Sequence, residues 1–315
     1  MSVASGGRVP GTVHAPYTLD LVTVPDLEDT GEVTVGVIDT GIVLGDDGRP
    51  APWFGDHVSY CREDDQDRLY GESGTLLPSA GHGTAIAGIV LREAPTARVR
   101  MWGVLDKERQ GPAASQVENW EDEAVVAALA SLTVDMDVRV VNLSFGGTVW
   151  EVEPPRTLER ALEAFIRARP DVSIVAAAGN TDGEERTTYP ASFPGVLAVG
   201  AVDESAPGAP VSKPTVASFS NHGSHVDVYA RGVDVRAPMA KRNTLTWALW
   251  EGTSCASAVV AGCIARLAAA DKSLTGREAE RKLLTEAPRH VDGVPWVASI
   301  DTSYADPSLE GLLGL

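Results

Sequence analysis

The chain has 315 residues, with 26 Lys and Arg against 44 Asp and Glu, for a formal charge of −18. At 43% hydrophobic and 22% charged, it can bury a core of its own without disulfide or metal staples, which excludes a disordered polymer. The acid excess excludes a nucleic-acid or anionic-membrane partner, which would need clustered Lys and Arg.

Residues 1–30, rich in Gly, Pro and Thr, read as an extended arm without the apolar core of a signal peptide. The run VTVGVI at 33–38 ends in Asp39-Thr40-Gly41 and predicts a strand feeding a turn. Residues 45–80 form a polar connection expected to be surface loop, and 85–92 a buried helix opened by a Gly-rich turn. A strand at 99–104, a helix at 119–132 and a strand at 138–143 follow. The amphipathic stretch 157–169 stops at Pro170. Continuous apolar runs at 172–178 and 196–202 suit strands covered on both faces. Short strands at 226–229 and 233–235 precede an Ala-rich helix at 254–270 and an amphipathic one at 276–286. This alternation predicts an α/β fold, a three-layer αβα arrangement with a parallel central sheet and helices on both faces. The expected organisation is an extended arm over 1–30 with a regulatory role, one domain over 31–290, and a tail over 291–315 packed on it.

The three cysteines are Cys61, Cys255 and Cys263. On one helix, the last two would lie about 12 Å apart, beyond the about 7 Å that a disulfide spans. Free thiols fit a reducing compartment, so a cytoplasmic location is expected. The apolar stretch 255–265 meets Arg266, well short of the ~20 residues of a membrane span.

Three segments each place a reactive side chain beside glycine at an element end. They are Val37-Ile38-Asp39-Thr40-Gly41, Gly81-His82-Gly83-Thr84 and Gly252-Thr253-Ser254-Cys255-Ala256. Sites in open α/β sheets gather at such carboxyl ends of strands and helix starts. A serine hydroxyl needs an adjacent base, an imidazole can take and return the proton, and a carboxylate can hold that imidazole. Each segment alone has a simpler explanation: a strand-ending turn, a structural histidine, an N-cap. Asp-Thr-Gly also suits an aspartic protease, but no second copy supplies the facing carboxylate.

Taken together, VGVIDTGI, GHGTAIAG and GTSCASA resemble the three active-site signatures of the subtilisin-like serine peptidases, in that family's Asp, His, Ser order. Ala176-Ala177-Ala178-Gly179-Asn180 resembles the strand end with the oxyanion-hole asparagine. Asn142-Leu143-Ser144-Phe145-Gly146-Gly147 resembles the strand that binds substrate backbone beside the P1 pocket. The likeness covers about residues 33–285. It implies Ser254 as nucleophile, His82 as general base, Asp39 as orienting carboxylate and Asn180 as oxyanion donor with the Ser254 N–H. Ser144, Phe145, Gly146, Gly147, Ala178 and Gly179 are the implied substrate-binding residues. Gly146 and Gly147 leave room for a sizeable P1 side chain. Ala85 and Val259 stand where the family usually carries histidines, and Cys255 beside the nucleophile raises an expectation of mercurial sensitivity.

The resemblance implies no required cofactor. The acidic cluster Glu63-Asp64-Asp65-Gln66-Asp67 is a candidate for structural calcium, although it lacks the spacing and glycine of a calcium loop. His222 and His225 lack partners at zinc spacing, and His14, His57 and His290 carry no functional reading. Only 38 residues precede Asp39, too few for the usual inhibitory prodomain. The expected function is therefore an intracellular endopeptidase acting on proteins or peptides, restrained by the arm or by a regulatory protein. The alternative is a binding or regulatory module whose triad is silent.

Overall fold

The computed structural model describes residues 13–14, 33–60, 66–67, 80–104, 122–148, 155–182, 187–204, 214–241, 244–287 and 289–297. In chain order its first half comprises β1 (Val13–His14), β2 (Thr34–Asp39), β3 (Val58–Tyr60), α1 (His82–Glu93), β4 (Arg98–Gly103), α2 (Asp122–Val134), β5 (Val138–Leu143) and β6 (Gly147–Thr148). Then come α3 (Arg156–Ala168), β7 (Ser173–Ala177), β8 (Thr188–Tyr189), β9 (Leu197–Asp203), β10 (Thr215–Val216), β11 (Val228–Arg231) and β12 (Val235–Lys241). The chain continues with β13 (Thr244–Trp250), α4 (Thr253–Ala270), α5 (Gly276–Glu286), β14 (Arg289–Val291) and β15 (Val294–Val297).

Eight strands run parallel in the order β15-β11-β9-β7-β5-β2-β4-β3. β14 and β10 add antiparallel to β15 and β9. All six residues of β2 are buried because layers cover both faces, as its unbroken apolar run requires. On one face, Ala85, Ile86 and Ile89 of α1 share a core with Val259, Val260 and Ile264 of α4 and Ala279 of α5. On the other face lie α2 and α3; α3 buries Leu158, Leu162 and Phe165, spaced for a single helical stripe. The three-layer αβα arrangement is thus present. Helix α4 is long and apolar enough to cross a bilayer, and 78% of it is buried inside this fold.

The chain passes from β2 out to β3 at the sheet edge, returns through α1 to β4, then crosses to β5 on the other side of β2. The switch point therefore lies between β2 and β5, and open α/β sheets place their sites at the carboxyl ends of strands there.

Two stretches differ from expectation. The connection 45–80 includes β3, which extends the sheet beside β4, and it buries Phe54 fully. His57, also buried, uses Nδ1 against the Ala97 carbonyl at 2.9 Å. The short strand expected at 233–235 is the start of a long hairpin, with β12 and β13 paired over seven positions from Val235↔Trp250 to Lys241↔Thr244. Pro238 and the charged Arg236 interrupt its apolar pattern, which hid it. Arg236 is nevertheless buried, and its carbonyl accepts from Arg92 Nη1 at 2.6 Å.

Candidate active site

Asp39 ends β2 and is fully buried. Its Oδ1 accepts from the Thr40 backbone N–H at 2.7 Å and from His82 Nδ1 at 2.7 Å. A carboxylate oxygen can only accept, so the proton of this contact sits on Nδ1, and a neutral ring in that tautomer carries its lone pair at Nε2. His82 is the first residue of α1, and three contacts press that first turn onto the loop after β2. The Gly83 N–H donates to Thr40 Oγ1 at 2.9 Å, and the Val43 N–H donates to Thr84 Oγ1 at 2.9 Å. Gly83 itself permits the approach, since a Cβ there would lie 2.2 Å from the Gly41 carbonyl oxygen.

The third contact comes from a residue that the sequence left in an acidic cluster. One oxygen of Asp67, Oδ2, accepts from Thr40 Oγ1 at 2.8 Å and from the Gly81 N–H at 2.7 Å. It thereby ties the residue after Asp39 to the residue before His82. Glu63, Asp64 and Asp65 lie outside the described residues. Among the described residues, no group of three or more His, Cys, Asp or Glu side chains is placed to hold a metal ion.

Ser254 stands in the first turn of α4, after the N-cap Gly252, whose φ of 144° a side chain would disfavour. First-turn N–H groups have no intrahelical acceptor, so the Ser254 N–H can serve a ligand. Ser254 Oγ donates to the Ser144 carbonyl at 2.9 Å. A hydroxyl has one proton, and here that proton is held by β5's extension rather than by His82. Beneath it, Ser144 Oγ donates to the Ser254 carbonyl at 3.0 Å, and Ser257 Oγ donates to the same oxygen at 2.9 Å. Asn142 Nδ2 donates to Ser144 Oγ at 2.6 Å. These fully buried polar groups lace the start of α4 to the end of β5.

Asn180 follows β7 on the opposite side of Ser254. Its Oδ1 accepts from the Thr253 N–H at 2.8 Å and from Thr253 Oγ1 at 2.9 Å. Two donors on that oxygen fix the amide orientation and leave Nδ2 as the side chain's donor for a ligand. Thr253 Oγ1 also accepts from the Gly179 N–H at 3.1 Å. Thr253 is thus an orienting residue; read as a helix cap in sequence, it leaves the cap to Gly252.

The other implied residues divide. Ser144, Gly146, Gly147, Ala178 and Gly179 lie on the two chain segments that flank the site. Phe145 also belongs there, but its side chain is buried in the core under α2 and α3, so only its main chain can meet a ligand. Trp250, which the sequence reading passed over, stacks edge-on to His82 with ring centroids 6.1 Å apart. Ala85 and Val259 pack in one apolar core instead of supplying imidazoles. Cys255 and Cys263 are free and buried, while Cys61 lies outside the described residues. Burial pushes the Cys255 thiol well up, and the Glu251 and Asp39 carboxylates add to the shift. Burial likewise raises Cys263, helped by Glu93.

An Asp–His pair at the end of a central parallel strand, with a serine opening the helix behind it, is the architecture of the subtilisin-like serine proteases. Comparison with known proteins agrees. The model of the Subtilase family matches residues 30–314, and the chain belongs to that family. Subtilisin E of Bacillus subtilis (strain 168) is 28% identical over 289 residues, covering 86% of this chain and 66% of its own length. The thermophilic serine proteinase of Bacillus sp. (strain AK1) is 34% identical over 198 residues, 59% of this chain and 42% of its own. The chain therefore spans just under two thirds of the first relative and less of the second. Among solved structures, the prenylagaramide maturation protease PagA superposes with a TM-score of 0.62 at 25% identity, over 82% of this chain and 85% of that one. A cold adapted subtilisin-like serine proteinase shares the fold with a TM-score of 0.61 at 22% identity, over 93% and 96%.

Proposed function

We propose that this chain is a serine endopeptidase that hydrolyses peptide bonds in proteins or peptides through an acyl-enzyme. The observation that carries the reading is the 2.7 Å contact between Asp39 Oδ1 and His82 Nδ1, which leaves the Nε2 lone pair to act as base. Rotation of Ser254 about χ1 moves its proton from the Ser144 carbonyl to Nε2 as Oγ attacks the substrate carbonyl. Asn180 Nδ2 and the Ser254 N–H then receive the oxyanion; one such donor is typically worth ~10²–10³ in kcat. The imidazolium, steadied by Asp39, gives its proton to the leaving amine, and water repeats the sequence to release the acid. The chain's own side chains suffice for these steps, with no cofactor. Extended substrate would pair its main chain with residues 144–146, using backbone hydrogen bonds for affinity.

The arm supports a regulatory role, because Val13 and His14 pair antiparallel with Trp250 and Leu249 of β13. That strand leads directly to Ser254, and Trp250 touches His82. Deleting residues 2–28 is expected to raise kcat/KM on a generic peptide; unchanged kinetics would leave restraint to a partner protein. Two buried free thiols support a reducing, cytoplasmic setting.

A fluorophosphonate probe tests the reading. Labelling of the wild type that disappears in Ser254→Ala supports the peptidase. An unlabelled wild type would instead support a silent binding module, for which the Ser254 proton on Ser144 is the one favourable observation.

A further inference from the structure

The hairpin of β12 and β13 lies along the whole of α1, the helix whose first residue is His82. At one end Trp250 meets His82, with ring centroids 6.1 Å apart. Midway, Pro238 packs so closely on Gly88 that a Cβ there would lie 2.2 Å from Pro238 Cδ. At the far end the Arg92 guanidinium sits 5.4 Å from the centre of the Trp247 ring, and its Nη1 donates to the Arg236 carbonyl. From Trp250 back to Trp247, β13 therefore descends from the carboxyl end of the sheet toward its amino end.

Strand β12 takes one edge of β13 and β1 takes the other, with Val13 opposite Trp250 and His14 opposite Leu249. Ala248 and Trp250 are buried in the core, whereas Trp247 and Leu249 are half-buried on the outer face. Trp53, also half-buried, stands edge-on to Trp247 with ring centroids 5.1 Å apart. The chain has to travel down past this face. His14 lies beside the end of β13 that leads to Ser254, whereas β2 starts at the amino end of the sheet, where the Thr34 N–H donates to the Asp137 carbonyl at 2.9 Å. Carried two residues further, the antiparallel register sets Ala15 against Ala248 and Pro16 against Trp247. Directly opposite residues share a face, so alanine meets alanine inside and proline meets tryptophan outside. Aromatic-lined surfaces are what proline-containing segments dock on.

We propose that the outer face formed by Trp247, Leu249 and Trp53 is the docking site of this chain's own segment 14–17, with Pro16 seated on Trp247. A ladder of two residues is marginal alone, so this aromatic seat is what anchors the arm. The inference rests on the reading of the arm as a restraint and deepens it, because whatever holds residues 14–17 also sets how long the arm stays beside β13.

Hydrogen exchange on the full chain tests it, read on fragments covering residues 10–20, with kcat/KM on a generic peptide measured alongside. The wild-type fragment is expected to exchange about 10-fold more slowly than a free peptide of the same sequence. Trp247→Ala is expected to remove most of that protection, about 10-fold being the scale of one aromatic contact. Pro16→Ser, which removes the ring and leaves the domain untouched, is expected to remove about 5-fold and guards against a hairpin that has merely loosened. In Pro16→Ser, kcat/KM is expected to rise as protection falls. An unprotected wild-type fragment overturns the proposal, as does protection that survives either substitution. Protection that rises with protein concentration overturns it too, by giving the seat to the arm of a second copy. Loss of protection with unchanged kcat/KM upholds the docking site and overturns the restraint reading.

Discussion

Thr253 donates twice to Asn180 Oδ1, from its backbone N–H at 2.8 Å and its hydroxyl at 2.9 Å. Thr253→Val removes the hydroxyl donor, keeps the backbone donor and conserves the shape of a fully buried side chain. A neutral hydrogen bond is worth about 1 kcal/mol net, so an Asn180 amide held by one donor should lose about 5-fold in kcat. KM should hardly change, because the oxyanion exists only in the transition state. The variant should also lose about 1–3 kcal/mol of stability, because the Gly179 N–H loses its acceptor. Asn180→Ala alone should lower kcat by ~10²–10³. The double variant is the discriminating measurement. If Thr253 works through Asn180, adding Thr253→Val to Asn180→Ala should cost less than about 2-fold more, the non-additivity expected of side chains in contact. Thr253→Ser, which retains the hydroxyl, should restore wild-type kcat. Steady-state kinetics on one fluorogenic peptide, with thermal melts alongside, gives every number. Multiplicative losses in the double variant, or a Thr253→Val whose defect lies wholly in KM, would refute the reasoning.

Three further outcomes are expected. Asp67→Asn keeps an oxygen that can accept from Thr40 and Gly81, so it should retain kcat within a few-fold, whereas Asp67→Ala should lose about 10-fold and lower Tm; equal behaviour of the two variants would remove Asp67 from the positioning of His82. Gly83→Ala would drive a Cβ to 2.2 Å from the Gly41 carbonyl, so it should cost about 1–3 kcal/mol and separate α1 from the Asp39 loop, with kcat falling alongside Tm; a variant with wild-type kcat would contradict this. The raised Cys255 and Cys263 thiols stay protonated in the folded chain while the thiols of the unfolded chain ionise near their ordinary value of 9.0. Their contribution is therefore complete below about pH 9 and falls above it by ~1.4 kcal/mol per pH unit for each thiol. Cys255→Ala/Cys263→Ala should flatten the alkaline limb of a Tm–pH curve, and unchanged slopes would count against the assignment.

What could be read in advance follows from periodicity and from glycine. Strands such as 138–143 and helices such as 276–286 announce themselves because burial on both faces, or a single apolar stripe, leaves a pattern along a short window. Asp39, His82, Ser254 and Asn180 stood out because each lies within two residues of a glycine at an element end. The residues that position them did not. Asp67 lies 14 residues from Gly81 and 27 from Thr40, so its two hydrogen bonds have no local signature. The β12–β13 hairpin was hidden for a different reason: Pro238 and Arg236 break the apolar alternation, and cross-strand pairing with the rest of the hairpin supplies what the pattern lacks. Trp250 could have been suspected, since an aromatic four residues before Ser254 ends an alternating Leu-Thr-Trp-Ala-Leu-Trp run.

The central claim is that Ser254 is the nucleophile of a peptide-bond hydrolase, and its most direct test is kcat/KM of wild type against Ser254→Ala on a quenched-fluorescence peptide. The account expects measurable wild-type turnover and a loss of about 10⁶-fold in the variant, as when a triad nucleophile is removed. A well-folded Ser254→Ala that retains activity within 10-fold of wild type would contradict it.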